Sequence, residues 1–264
     1  MAYETILVDV TDNVGTITLN RPERLNACSL EMAGEINAAV DALPGLGARA
    51  LIITGAGKGF CSGADLQAKA DAKESISGGQ GSYRALTLHY NPLMMKLARL
   101  NMPIITAING AAAGVGCSIA LAGDFVFAAK KAYFLQAFVN IGLVPDGGAS
   151  WMLPRMVGKA RATEMMMLGE KIPAEKAAEW GLIYKATEDD ALLDEARALA
   201  LRFANGPTVA YAVMRKNILT ALENSYAEQL LAEAEGQLAA GNSADAAEGA
   251  AAFVEKRKAQ FQGK

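Results

Sequence analysis

Asn109–Asp124 reads NGAAAGVGCSIALAGD, and the reading of this stretch decides the fold. It ends a run from Arg99 to Asp124 that carries no charge between those two residues, long enough for a membrane span. Pro103, the Asn109-Gly110 pair, Gly114 and Gly116 interrupt the run. Such breaks do not suit a continuous helix exposed to lipid. The run divides instead into a buried strand at MPIITAING, a tight turn and a buried helix. Buried strands leading through glycines into helices make an α/β core.

The same alternation extends on both sides. ETILVDVTDNVGTITLN alternates at Ile6, Val8 and Val10, turns at Asp12-Asn13 and alternates again at Val14, Thr16 and Thr18, a hairpin pattern. LNACSLEMAGEINAAVDAL places Ile36, Ala39, Val40 and Leu43 on one helical face, and ARALIITGAG is a buried strand ending in glycines. Residues 67–82, polar and glycine-rich, form a candidate mobile loop or substrate lid. FVFAAKKAYFLQ supplies two more short strands. Beyond about residue 190 the strands stop. DEARALALRFANGP is an amphipathic helix closed by Asn205-Gly206-Pro207, and two helical stretches follow. The last opens at NSADAAEG with acids and closes at EKRKAQ with bases, matching a helix dipole. A β/α core over residues 1–195 with a helical assembly region over residues 196–264 is the predicted organisation.

Composition narrows the function. The chain has 264 residues, 52% of them hydrophobic, with 25 Lys+Arg against 28 Asp+Glu. That balance does not suit a general polyanion binder, so an anionic ligand must be held by a few local cations and backbone amides. Cys28, Cys61 and Cys117 have neither CxxC nor metal-ligand spacing and read as reduced thiols in a cytoplasmic compartment. MAYETILVDV carries acids where a targeting segment would carry bases. His89 is the single histidine, and without a GxSxG elbow it reads as structural rather than as a triad base.

Three glycine-rich motifs remain. ITGAGKGF lacks the spacing of a phosphate loop, and GVGCSI lacks the third glycine of a dinucleotide fingerprint. GKGFCSGADL and NGAAAGVGCSIALAGD share a plan: buried strand, glycines, helix start. Helix starts expose N–H donors, and two converging on one point would form an oxyanion hole. Simple packing turns explain the glycines equally well. IGLVPDGGAS, residues 141–150, isolates Asp146 in apolar sequence, as a turn residue or as the group that moves protons.

FCSGADL, NGAAAGVGCSIALAGD and IGLVPDGGASWMLPRMVG resemble the crotonase superfamily, the enoyl-CoA hydratase/isomerase family, and the likeness runs from TITLNRPERLNA to FVEKRKAQF. The resemblance implies a spiral of ββα units, a C-terminal helical trimerisation region, and an acyl-CoA thioester as substrate. CoA would belong to the substrate, with no further cofactor and no metal. The oxyanion donors would be the N–H groups of Ala64 and Val115, the latter where many relatives carry glycine. Arg24 and Lys256 would lie near the nucleotide phosphates and Phe253 beside the adenine, with the tail able to reach a neighbouring subunit. Ala27, Ser62, Asp65, Leu66 and Phe138 would complete the substrate contacts. A homotrimer or dimer of trimers is the implied assembly.

The departures from the family pattern point to the reaction. Hydratases of the family use two glutamates, and this chain has Ser118 and Phe138 at those places. Asp146 remains, and LVPD resembles the Δ3,Δ2-enoyl-CoA isomerases and the ring-epoxide isomerases of phenylacetyl-CoA breakdown. One carboxylate suffices for isomerisation, because the proton removed from C2 returns at C4. Apolar neighbours Leu143, Val144 and Phe138 should raise the Asp146 pKa and strengthen it as a base. Glu164 offers a second acid, but reads rather as a helix-surface or structural carboxylate. The alternatives are a hydratase working through Asp146, a non-catalytic acyl-CoA-binding or scaffold protein, and a dehalogenase using Asp146 as nucleophile. Residues 67–95 with Met94, Met95, Phe134 and Phe138 are expected to shape the acyl pocket.

Overall fold

The computed structural model describes residues 3–66 and 78–264. β1 (Ile6–Thr11) and β2 (Val14–Leu19) form the expected antiparallel hairpin, with Ile6 opposite Leu19. Its turn residues Asp12 and Asn13 have φ of 55° and 60°, a backbone that these short polar residues tolerate. α1 (Leu30–Ala42) begins where the Ser29 hydroxyl accepts the Met32 N–H at 3.1 Å. It buries Met32, Ala33, Ile36, Ala39 and Val40.

The chain then winds. β3 (Ala50–Gly55) pairs parallel with β2. α2 (Gly78–Ala85), a single π-helical turn (Leu86–Tyr90) and α3 (Asn91–Arg99) form one continuous helical segment. β4 (Ile104–Ile108) returns to the first sheet, and β5 (Ala111–Ala113) steps out into a second one. α4 (Val115–Leu121) is buried along its whole length. β6 (Phe125–Ala129) rejoins the first sheet and β7 (Tyr133–Leu135) the second. After a 3-10 turn at Ala137–Ile141 comes α5 (Ala149–Leu168), bent at Gly158, followed by β8 (Ile172–Pro173), α6 (Ala174–Glu179) and β9 (Lys185–Thr187). The larger sheet has the order β1-β2-β3-β4-β6-β9 and the smaller β5-β7-β8. Repeated steps from one sheet to the other make the spiral. Ile17, Ile36, Ile53, Phe60, Leu97 and Phe134 are fully buried at its centre.

α7 (Leu192–Ala204) turns Leu192, Ala196, Ala200 and Ala204 inward and packs on the larger sheet. Residue 196 therefore falls inside a helix of the core, and the outward helical region starts after it. That region has three helices where two were expected: α8 (Thr208–Ala221), α9 (Tyr226–Gly241) and α10 (Ala244–Glu255). Arg215 anchors α8 to the core through Asp124 at 2.7 Å and the Leu97 carbonyl at 3.0 Å. The expected basic close of the last helix is corrected. Helix α10 ends at Glu255, and Lys256 turns out of it with φ 54°. Arg257 pairs with Glu248 and Glu255 rather than with the helix dipole.

One further expectation changes, and one holds. The candidate loop at 67–82 is helical from Gly78 onward, while residues 67–77 lie outside the described residues. The uncharged run from 99 to 124 is β4, β5 and α4, and among the described residues no helix is long and apolar enough to cross a membrane.

Candidate active site

Two glycine turns build the site. Gly63 (φ 113°) lies between Cys61 and Ala64, and Gly114 (φ 53°) lies between β5 and α4. A side chain is strained at both, and the two backbones nearly touch: a β-carbon on Gly114 would stand 3.7 Å from Gly63 Cα. Glycine is thus favoured at both by the positive φ.

That approach orients two peptides. The Gly63 carbonyl accepts the Cys28 N–H at 2.7 Å, and the Gly114 carbonyl accepts the Cys117 N–H at 3.0 Å. In a trans peptide the N–H points opposite to the carbonyl. The Ala64 and Val115 N–H groups are therefore turned away from these bonds, and neither donates a backbone hydrogen bond among the described residues. Val115 also opens α4, where the helix dipole is positive.

Both residues line one cavity of about 240 Å³. Asp146 lines it too, and is the only charged residue among the described lining residues. The rest of the wall is mostly apolar, including Leu86, Phe138, Leu143 and Val144, with Ser62, Ser82 and Tyr90 as its uncharged polar members. The Asp146 backbone is fixed by its carbonyl, which accepts the Ser118 hydroxyl at 2.9 Å and the Ala149 N–H at 3.1 Å. Asp146 itself is half-buried.

Positions 118 and 138 are filled in a way that excludes a second acid. Ser118 is fully buried, and a β-carbon on Gly147 would come 2.8 Å from the Ser118 Cβ. Phe138 is buried, lines the cavity and lies against Gly114. Neither place offers a polar group to the cavity interior.

The other expected residues divide. Ser62 and Leu66 line the cavity. Ser62 also donates its hydroxyl to the Arg24 carbonyl at 3.3 Å, which brings the Arg24 loop to the rim with an exposed Arg24 side chain. Ala27 lies beside that loop, its carbonyl accepting from Arg21 at 2.7 Å. Asp65 is not in the lining; its buried carboxylate pairs with Arg21 at 2.8 Å. This burial between two loops makes it a brace. Phe253, 85% exposed, and the exposed Lys256 lie at the end of α10, outside the cavity.

The expected acyl pocket is met by Phe138 and by part of the 67–95 segment, and is corrected at three residues. Phe134 is fully buried, Met94 packs against the core and Met95 is exposed, so none of the three lines the cavity. Ala85, Leu86 and Tyr90 do so instead. The π turn displaces the lining face from the one that a regular helix would present. A trace of it exists in the buried positions Ala85, Tyr90, Leu93 and Leu97, whose first interval is five residues.

Other chemistries find little support. Burial drives all three thiols up, Cys61 to about 11 and Cys117 to about 12, so they stay protonated and unreactive. Glu164 pairs with Lys176 at 3.2 Å, as a structural carboxylate does. Among the described residues no three His, Cys, Asp or Glu side chains gather as a metal site.

Known proteins show the same arrangement of chain. The family model described as enoyl-CoA hydratase/isomerase matches residues 9–264. The 1,2-epoxyphenylacetyl-CoA isomerase of Escherichia coli is 42% identical over 262 residues, covering 99% of each chain. A Rhodobacter capsulatus protein named Probable enoyl-CoA hydratase is also 42% identical, over 264 residues and 100% of each chain. The crystal structure of an enoyl-CoA hydratase from Bacillus anthracis superposes with a TM-score of 0.92 at 30% identity, covering 99% of this chain and 100% of that one.

Proposed function

Because the chain belongs to the enoyl-CoA hydratase/isomerase family, we propose that it is an acyl-CoA isomerase in which Asp146 shuttles one proton beneath a thioester held by Ala64 and Val115. The Asp146 carboxylate removes a proton from C2 of a 3-enoyl thioester. The released electron pair moves onto the thioester oxygen, and the enolate is stabilised by the two N–H groups. As the electrons return, the same carboxyl delivers the proton to C4 and the double bond lies at C2–C3. The same base and amides serve the rearrangement of a ring epoxide beside the thioester. CoA enters as part of the substrate and the balance needs no other cofactor.

One observation carries this reading: Asp146 is the only charged residue among the described ones that line the cavity. Hydration needs a second polar group to hold the attacking water. Fully buried Ser118 is occupied by the Asp146 carbonyl, and Phe138 supplies an aromatic wall. Arg24, exposed beside the Ser62 rim, and Lys256 supply cations for the phosphates, and the exposed Phe253 a surface for the adenine. We further place the enzyme in the cytoplasm, where its three thiols stay reduced, and as a trimer or dimer of trimers assembled through α8 to α10.

The test is kcat/KM for 3-enoyl isomerisation and for 2-enoyl hydration on one short acyl chain. Isomerisation should be much the faster. Hydration at an equal or higher rate would replace this reading with the hydratase that the Rhodobacter relative's name favours.

A further inference from the structure

Tyr90 stands at the junction of three features. It ends the π turn Leu86–Tyr90, it lines the cavity, and its hydroxyl donates to the Cys28 carbonyl at 2.7 Å in a buried hydrogen bond. A π turn holds one residue more than a regular turn, and that residue rotates the following side chain by about 100°. In a regular helix Tyr90 would therefore not face Cys28. The irregularity places one hydroxyl against one carbonyl.

Cys28 is the residue that grips the Gly63–Ala64 peptide. Its N–H donates to the Gly63 carbonyl at 2.7 Å, and its own carbonyl accepts the Asp65 N–H at 3.1 Å, just past Ala64. The peptide bearing the Ala64 donor is thus bracketed on both sides by a single residue. Cys28 lies between an irregular loop, where Leu25 and Asn26 have φ of 49° and 55°, and Ser29, the cap of α1. Among the described residues the Cys28 carbonyl has two donors, and the Tyr90 hydroxyl is the one that comes from outside the two loops.

We propose that Tyr90 is a positioning residue: through the Cys28 carbonyl, its hydroxyl holds the Gly63–Ala64 peptide so that the Ala64 N–H aims at the substrate carbonyl. The inference rests on the oxyanion role given to Ala64 above. Burial first, then the neighbouring Cys28, Cys61, Asp146 and Asp65, push the phenol above its ordinary range. Tyr90 therefore stays a neutral donor across the working pH range and is no rival to Asp146 as a base. A donor attached to a second helix adds one more constraint to this hydrogen-bonded loop, and preorganised donors are what an oxyanion site needs.

The experiment uses the full chain with a saturated acyl-CoA whose thioester carbonyl is isotope-labelled. The carbonyl stretch in the bound state reports how strongly the amides polarise it. In wild type, binding should lower the frequency. Tyr90→Phe keeps the ring in the cavity wall and removes only the hydroxyl. It should lose a large part of that shift and lower kcat about ten- to thirtyfold, less than the roughly 10²–10³ lost with a whole oxyanion donor. KM should stay within about twofold. Leu86→Ala, which widens the same wall without touching the hydrogen bond, should raise KM and leave the shift intact. 4-Aminophenylalanine at position 90 restores an N–H donor and should recover most of the shift and of kcat.

A full shift and unchanged kcat in Tyr90→Phe overturn the proposal, as does a 4-aminophenylalanine variant that recovers neither. The wild-type spectrum separates the two levels of the argument. No shift there removes the oxyanion reading and this inference with it. A normal shift in wild type and Tyr90→Phe alike removes only the role of Tyr90.

Discussion

The Ser118 hydroxyl donates to the backbone carbonyl of Asp146 at 2.9 Å, tying a fully buried serine of α4 to the acid that lines the cavity. Gly147 completes the contact by resting against the Ser118 side chain, where a β-carbon would come 2.8 Å from Cβ and 3.0 Å from Oγ. The serine is therefore a clamp on the Asp146 turn. The space that a glutamate would need is already filled by backbone.

Ser118→Glu should not create a hydratase. It forces a longer, charged side chain into a fully buried site, and overpacking alone typically costs about 1–3 kcal/mol. Isomerase turnover should fall with it. Ser118→Ala removes only the hydrogen bond, worth about 0.5–1.5 kcal/mol, and should lower kcat about tenfold or less with little change in KM. Thermal melts and kinetics on both variants check this; a stable Ser118→Glu protein that hydrates efficiently overturns it.

Asp146→Asn should lower isomerisation by at least the roughly 10²–10⁴ typical of one lost acid–base group, because both proton transfers pass through the same carboxyl. The affinity for a saturated acyl-CoA should hardly move, since the change keeps size and turn geometry. Calorimetric binding beside turnover separates the two effects. Near-normal turnover would remove Asp146 from the mechanism.

The helical region should hold the protein together as an oligomer. No residue of α8 is fully buried, and Met214, Ile218, Leu230, Leu231 and Leu238 stand exposed across α8 and α9. Apolar faces of this extent mark contact surfaces. Light scattering should find a trimer or hexamer, and Ile218→Glu combined with Leu231→Glu should shift it toward smaller species. A wild-type monomer with full activity at micromolar concentration would exclude the assembly.

Alkaline pH should destabilise the fold through its buried thiols. The folded state raises Cys61 to about 11 and Cys117 to about 12 from an ordinary 9.0, and raises Cys28 as well. A raised pKa means that the unfolded chain loses protons first. This contribution is complete below pH 9.0 and declines as the pH rises through the folded values. Denaturant midpoints should fall over that window, and Cys117→Ala should flatten the fall. A midpoint constant between pH 9.0 and about 12 would contradict the sign.

Most of the local elements were legible in the order of residues, whereas the spiral itself followed only from the family resemblance. Continuous apolar strands, the Asp12-Asn13 turn and the α1 face carry local periods that persist whatever they pack against. The order of residues also singled out Asp146, because an acid isolated in apolar sequence stands out before any fold is known. The Gly63 and Gly114 segments were readable as helix starts but equally as packing turns. Their approach in space, which brings Ala64 and Val115 to the wall of one cavity, is what the order of residues does not record. Tertiary structure alone decided the partners of Ser118, Asp65 and Tyr90. Tyr90 reaches Cys28 across 62 positions, Asp65 is taken by Arg21 and Ser118 by the Asp146 turn. Such contacts join loops and irregular turns, which have no period, so nothing in the order of residues records which carbonyl or guanidinium will face each side chain.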